Sequence, residues 1–184
     1  MLLTRTLVLI FVLLLTVCGV CAALFPLMRK SGIVIAGHPA ERRVYLWYEE
    51  TKYRIGDTHY SVRAYHRDRS CAGFRTVAVA AAALDVAGCG IAAVVCLLAA
   101  AHLCSRKKFN ICCSIMVLSF VTFICFAASV AAVTFVFCTE TCVQDAAERT
   151  QALRDAGYSL VEGFIVLCVA TGGFFLAIAV EIFS

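Results

Sequence analysis

The sequence predicts an all-α membrane protein, a four-helix transmembrane bundle with a small antiparallel β-sheet in the loop between its first two helices. Of its 184 residues, 62% are hydrophobic and only 15% are charged, which is far more apolar than a typical soluble domain. Most of the charges fall in a few polar stretches, so four long apolar runs remain between them. Lipid is therefore the expected solvent for most of the chain.

The four apolar runs each approach or exceed the roughly 20 residues that a helix needs to cross the hydrocarbon. Backbone amides find no water inside a bilayer, so these runs are predicted to be helices of one tetraspan domain over residues 1–184. The predicted helices cover about residues 6–28, 76–104, 111–138 and 158–182. A secretory signal is the alternative for the first run, because Arg5 precedes it, but the run continues past Ala23 and exceeds a signal's apolar core.

The first loop, residues 29–75, is the part of the chain that could fold in water. Apolar and polar residues alternate over 44–49 and again over 59–64, which is typical of half-buried strands. Gly56 and Asp57 lie between these segments and suit a reversal of the chain. Because a lone hairpin is marginal in water, we expect a third or fourth strand and packing on the helix ends.

The other two connections are short. Residues 105–110 are basic, and residues 139–157 are polar, with helical composition over 146–156 that could extend the fourth helix. The basic loop argues for a cytoplasmic position, yet the first loop holds ten Lys and Arg against five acids, so charge counting leaves the orientation open. No basic run exceeds three residues, and nucleic acid is not an expected partner.

Most of the 12 cysteines lie in or beside the apolar runs, where they act as small apolar side chains. Cys71 differs, because it shares one side of the membrane with Cys138 and Cys142. The sequence predicts a disulfide from Cys71 to Cys142, or to Cys138, with free thiols as the open alternative. Cys18 and Cys21 form a CxxC pair without a second pair of ligands, so no metal site is predicted.

Asp85 is an ionisable residue inside the second predicted helix, about 13 Å from the helix start at 1.5 Å per residue. No Lys or Arg lies inside a predicted span to neutralise it, which makes it a functional candidate. We expect Glu162 in the fourth helix to lie at a related depth, and two such acids suggest a proton or cation site. Alternatively, a protonated Asp85 bonds a backbone carbonyl or the hydroxyl of Ser129 or Thr134 and fixes helix packing.

The sequence contains no nucleophile elbow, phosphate loop or HExxH motif. We therefore predict no catalytic residue and no cofactor, and expect that the protein is not an enzyme.

Several residues match a known pattern: Val44, Leu46 and Trp47 in the first loop, Cys71, Phe74 and Arg75 before helix two, and Gly157 and Tyr158 before helix four. Through these residues and its loop sizes, the chain resembles the amastins, four-span surface proteins of kinetoplastid parasites that are distantly similar to claudins. It departs from the family pattern at Arg43 and Tyr53, where two cysteines are expected.

The resemblance implies a claudin-like protein in the plasma membrane, with the sheet outside the cell and both termini in the cytoplasm. The aromatic and basic residues of the first loop, among them Trp47, Arg42 and Arg63, favour a contact of this loop with host or neighbouring membranes or proteins, or with other copies of the chain in a homo-oligomer. Two other functions stay open: an ion or proton transporter or channel subunit that uses Asp85 and Glu162, and a structural subunit of a membrane complex.

Overall fold

A computed structural model of the protein describes residues 2–104, 109–141 and 152–183. These residues form helices α1 Leu2–Leu24, α2 Ala72–Cys104, α3 Phe109–Cys138 and α4 Glu162–Phe183. Each helix contains a stretch that is long and apolar enough to cross a membrane. The fold is therefore that of a multi-pass membrane protein with four candidate spans.

The four helices pack as a ring in which α1 contacts α2 and α4, and α3 contacts the same two helices. The rings of Phe126 and Phe174 are fully buried at its centre, with centroids 5.7 Å apart. Gly19 faces them so closely that an added Cβ would lie 2.7 Å from Cζ of Phe126. Small residues thus let large apolar side chains fill the space between the helices.

A five-stranded antiparallel sheet lies at one end of the helices. Its strands are β1 Met28–Ile35, β2 His38–Val44, β3 Tyr48–Ile55, β4 Thr58–Tyr65 and β5 Ser159–Leu160, in the order β4-β3-β2-β1-β5. The first four follow α1 in the N-terminal part of the chain, but β5 directly precedes α4 and pairs with Met28 and Arg29. The expectation that the first loop alone would build the sheet is therefore corrected.

One predicted strand is confirmed and the other is misplaced. Residues 59–64 lie within β4, and Gly56 has a φ of 57° in the turn that precedes it. Residues 44–49, however, span the turn between β2 and β3, since β2 ends at Val44 and β3 begins at Tyr48. This turn packs against the helices and buries Leu46, which is 3% exposed. Because a buried turn also needs apolar residues, its sequence resembles the alternating pattern of a strand.

The helix ends also differ from the predicted ones. α1 stops at Leu24 because Pro26, two residues later, has no N–H to continue the helical bonding. α4 starts at Glu162, and the chain before it forms a turn over residues 153–157 and then strand β5. The predicted helical extension over 146–156 is therefore absent from the described residues 152–156, and the rest of it lies outside the described residues.

The sheet meets the helices at a region that we call the junction, centred on the segment between α1 and β1. The backbone N–H of Leu27 donates to the Val44 carbonyl at 2.8 Å, and that of Val161 donates to the Leu27 carbonyl at 3.0 Å. Around them lies an apolar cluster of Leu27, Met28, Val44, Leu46, Ala81, Ala82, Val133 and Tyr158. Backbone bonds and apolar burial together fix the sheet on the helix ends.

Helix α2 begins beside the sheet rather than beneath it. Its first residue is Ala72, and Ala81, nine residues later, already belongs to the junction. The Ser129 hydroxyl of α3 donates to the Ala81 carbonyl at 3.0 Å, which holds the two helices together at this level. The first turns of α2 are therefore part of the support of the sheet.

Replacing Gly163 by Ala is expected to destabilise the junction. An added Cβ would lie 2.7 Å from the carbonyl oxygen of Pro26 and 2.8 Å from that of Phe25, which are backbone atoms that cannot turn aside. We expect a loss of about 1–3 kcal/mol, the range for overpacking, measured as a lower unfolding temperature in detergent.

Gly172→Ala in the same helix is the matched control, because its added Cβ would have no neighbour within 4 Å. It should leave the unfolding temperature unchanged or raise it, since Ala favours a helix over Gly. Equal effects of the two substitutions would contradict the tight contact at Gly163.

Candidate functional site

Two consecutive glutamates on β3 organise opposite faces of the sheet, because successive strand residues alternate in direction. Glu49 faces the helices, where it forms an ion pair with Arg69 and accepts a hydrogen bond from the Tyr158 hydroxyl at 3.2 Å. Arg42 lies 3.7 Å from the same carboxylate. Glu49 thus links two strands to the start of α2 and to the chain before β5.

Glu50 lies on the other face and is only 4% exposed. Ser61 donates to its carboxylate at 2.8 Å, Lys52 lies at 3.1 Å, and Arg63 donates at 3.3 Å. Burial by itself raises the pKa of Glu50, but these hydrogen bonds and charges outweigh it, and the pKa is below its usual value of 4.5. The Glu50 carboxylate is therefore held charged within the sheet.

Aromatic side chains surround these charges. The rings of Tyr48 and Tyr65 meet at 6.0 Å, and the guanidinium of Arg63 lies 5.1 Å over the Tyr48 ring. Nearer the tip of the hairpin, Tyr53 and Tyr60 stack at 5.4 Å. Such ring pairs and cation–π contacts add stability beyond the buried area and limit side-chain motion.

Basic side chains exceed acids in these contacts. Glu49 is shared by Arg42 and Arg69, and Glu50 is shared by Lys52 and Arg63. Each of these two clusters therefore carries one net positive charge. A third cluster is balanced, since Arg29 and Arg43 contact the acids Glu41 and Glu162.

The three residues of the first loop that carry the resemblance have different surroundings. Val44 is 7% exposed and Leu46 is 3% exposed, and both pack in the junction. Trp47 is 43% exposed at the turn between β2 and β3. Two of the residues thus support the fold, whereas the side chain of Trp47 stays partly exposed.

Asp85 is fully buried in α2. It stands between Ala81, which belongs to the junction, and Cys89, whose Sγ lies 3.1 Å from the Cβ position of Gly19 in α1. At about 5.4 Å per helical turn, Asp85 is roughly one turn below the junction. Because α2 begins at Ala72 rather than at residue 76, Asp85 lies about 20 Å from the helix start, farther than the predicted value of about 13 Å.

The two intramembrane acids of the transport hypothesis share no contact. Glu162 begins α4 and accepts a hydrogen bond from Arg29 at 3.2 Å, with 58% of its side chain exposed. Neither carboxyl oxygen of Asp85 has a hydrogen-bond partner among the described residues. The expected hydroxyl partners bond elsewhere, since Ser129 donates to Ala81 and Thr134 donates to the Val130 carbonyl.

Cys71 is disulfide-bonded, in agreement with the expectation that it differs from the other cysteines. Cys138 carries a free thiol and is therefore not its partner. Cys142, the preferred partner, lies outside the described residues, so this pairing stays a prediction. Cys18 and Cys21 are free, and the described part of the chain contains no group of three His, Cys, Asp or Glu side chains that could hold a metal.

His66 is a buried residue that the sequence does not reveal. It follows β4, is 3% exposed, and packs its ring edge-on to Phe74 at 5.5 Å. In the sequence, His66 looks like the other two histidines of this polar loop, His38 and His59. Only the following apolar helix hints that the chain turns inward at this position.

Comparison with protein-family models and with curated proteins does not assign this chain to a family. No protein-family model matches the chain, and no curated protein matches it either.

Glu50→Gln is expected to destabilise the sheet and to remove part of its acid sensitivity. The pKa of Glu50 is lowered, and the pKa of Glu41 is lowered chiefly by its hydrogen bond from Arg43. A carboxyl group whose pKa is lower in the folded protein than in the unfolded chain stabilises the fold. This contribution is complete above the pKa of the unfolded chain, 4.5 in both cases, and is lost as the pH falls through the pKa of the folded protein.

Unfolding temperatures of the detergent-solubilised protein between pH 7 and pH 3 test this expectation. Glu50→Gln should cost about 1–3 kcal/mol near neutral pH, because a neutral amide replaces a buried carboxylate as the acceptor for Ser61, Lys52 and Arg63. It should also show a smaller decline in stability below pH 4.5. Asp57→Asn is the control, since the side chain of Asp57 is fully exposed. An unchanged acid profile in Glu50→Gln would refute the assignment.

Proposed function

We propose that this protein is a non-catalytic, amastin-like surface protein whose sheet contacts a negatively charged surface, such as the head groups of a neighbouring membrane or an acidic protein. The observation that carries the proposal is that Glu49 and Glu50 are each shared by two basic side chains. Each cluster has one more positive charge than its acid neutralises, and the whole segment 29–75 has ten Lys and Arg against five acids.

The positive charge is accessible to a partner. The side chains of Arg42 and Lys52 are each 44% exposed, and that of Arg63 is 56% exposed. An open cavity of about 400 Å³ lies at the hairpin tip, and its described lining is Pro39, Lys52, Tyr53, Arg54, His59, Tyr60 and Ser61, without an acid. Basic and aromatic side chains around a concavity favour anionic groups.

The sheet is also rigid enough to recognise a partner at low entropic cost. Ring stacking and ion pairs hold its side chains, and the junction holds its backbone. Side chains that are ordered before binding lose less freedom when the partner arrives. Exposed Trp, Tyr and Arg side chains are the types enriched in protein interfaces.

Neutralising one base in each cluster should weaken binding without leaving an acid unpaired. In the double variant Arg42→Gln and Lys52→Gln, Glu49 keeps Arg69, and Glu50 keeps Arg63. At about 1 kcal/mol per basic residue near an anionic surface, we expect affinity to fall roughly tenfold to thirtyfold. The measurement is binding of protein in phosphatidylcholine nanodiscs to phosphatidylserine vesicles.

The control is Arg154→Gln with Asp155→Asn, which removes an exposed ion pair with a separation of 3.2 Å in the turn before β5 and keeps the net charge constant. It should bind like the parent protein, and binding of the parent should weaken at high salt. Equal affinities of the two double variants, or salt-independent binding, would overturn the proposed contact.

Surface location can be measured on intact cells with an impermeant amine reagent. Lys52, which is 44% exposed on the sheet, should be labelled before permeabilisation. Lys107 and Lys108, in the loop predicted on the other side of the membrane, should be labelled only afterwards. The reverse order would place the sheet in the cytoplasm and exclude a role at the cell surface.

A further inference from the structure

Strand β4 is an open edge of the sheet. It stands last in the order β4-β3-β2-β1-β5, and no other strand of the described residues pairs with its outer side. All eight residues of Thr58–Tyr65 are exposed, and their pairing with β3 runs without a shift of register. The strand contains neither proline nor lysine, two residues with which proteins commonly protect such edges. β4 therefore presents a regular, unblocked row of backbone groups.

The turn that precedes β4 determines which of its backbone groups face outward. The chain reverses over residues 56–57, and in a hairpin with a two-residue turn the flanking residues, Ile55 and Thr58, exchange both backbone hydrogen bonds. The His66 N–H, which donates to the Trp47 carbonyl at 3.0 Å, continues the same alternation at the other end of the strand. The backbone groups that point away from β3 are therefore those of His59, Ser61, Arg63 and Tyr65.

The opposite edge of the sheet is protected in two ways. β5 is only two residues long and pairs with Met28 and Arg29. Beyond it, the pairing of β1 with β2 shifts register between Lys30 and Ile33, and Gly32 has a φ of 73° at this irregularity. Short edge strands and bulges hinder the addition of a further strand. A second chain can therefore extend this sheet at β4 and not at the opposite edge.

The outward groups of β4 match those of a second β4 that runs antiparallel to it about a two-fold axis at Val62. In this register His59 lies opposite Tyr65 of the other copy, and Ser61 lies opposite Arg63, so each outward residue meets an outward residue. A register centred on Arg63 would place two arginines directly opposite each other, which is destabilising. A register centred on Ser61 would leave Tyr65 beyond the end of the other strand.

The side chains on both faces of β4 fit this register. Val62 is 55% exposed, and its two copies meet at a central position where side chains approach closely and β-branched residues pack well. Tyr60, which is 44% exposed, lies opposite Ala64 of the other copy, whose small side chain leaves room for the ring. On the other face, Arg63 is directed back toward β3, where it donates to Glu50 at 3.3 Å. β4 is thus complementary to itself in backbone and in side-chain shape.

We propose that two copies of this protein associate through their β4 strands, which pair antiparallel about Val62 and join the two five-stranded sheets into one. Backbone hydrogen bonds supply the affinity, as in other cases of strand addition. Because the same strand is used by both copies and the opposite edge is protected, the association closes at a dimer. This contact is independent of the anionic contact proposed above, which uses charged side chains of the sheet and not its edge.

A proline at the edge tests the contact in the full-length protein in detergent, with the dimer dissociation constant measured by analytical ultracentrifugation. The parent protein should dimerise, and Ser61→Pro should raise the dissociation constant at least about tenfold, because each copy loses an outward N–H. Ser61→Ala is the matched control: both substitutions remove the hydroxyl that donates to Glu50 at 2.8 Å, but alanine keeps the N–H. A monomeric parent, or equal dissociation constants for the two variants, would overturn the proposal.

Cross-linking tests the register without a proline. Val62→Cys should form an intermolecular disulfide under mild oxidation, because a non-hydrogen-bonded pair places its Cα atoms about 4.5 Å apart, within the range of a disulfide. Val34→Cys is the control, since Val34 is 69% exposed near the protected edge. It should give no more covalent dimer than the parent, in which the exposed Cys113 and Cys138 set the background. Equal cross-linking of the two variants, or none at residue 62, would contradict the pairing.

Discussion

The architecture depends on how the chain leaves α1. Pro26 cannot donate a backbone hydrogen bond, so the helix ends there, and the carbonyls and amides around it must find partners outside the helix. They find them in two other parts of the chain: Leu27 donates to Val44 of β2, and the Pro26 carbonyl accepts from Gly163 at 3.0 Å. One short segment thus joins the sheet to both α1 and α4, and unpaired amides near hydrocarbon are avoided.

The charges of the sheet follow from the same arrangement. Glu49 points toward the helices, where it contacts Arg69 just before α2 and Tyr158 just before β5. Glu50 instead accepts a hydrogen bond within the sheet, from Ser61. Buried carboxylates need several donors, and long basic side chains supply them while their charged ends stay partly in water. The surplus of positive charge on the sheet is therefore linked to its stability as well as to its proposed contact.

The sequence predicts the parts of this structure that depend on composition and misses those that depend on contact. Four apolar runs suffice to identify the helices, and the alternation over 59–64 suffices for β4. The turn after Val44 looks like a strand because it is buried on one side, and β5 has only two residues, too few for a pattern. The candidate site is less predictable, since the sharing of Glu50 and the burial of His66 arise from residues distant in the sequence.

Helix α2 has 33 residues, whereas α1 has 23. The additional length of α2 is about that of the part that lies beside the sheet. It runs without interruption from Ala72 beside the sheet to Cys104 at the opposite end of the bundle. A helix of this length behaves as a stiff rod over its roughly 50 Å. Because the rod is stiff, a tilt of its first turns beside the sheet would also displace its opposite end, near Cys104.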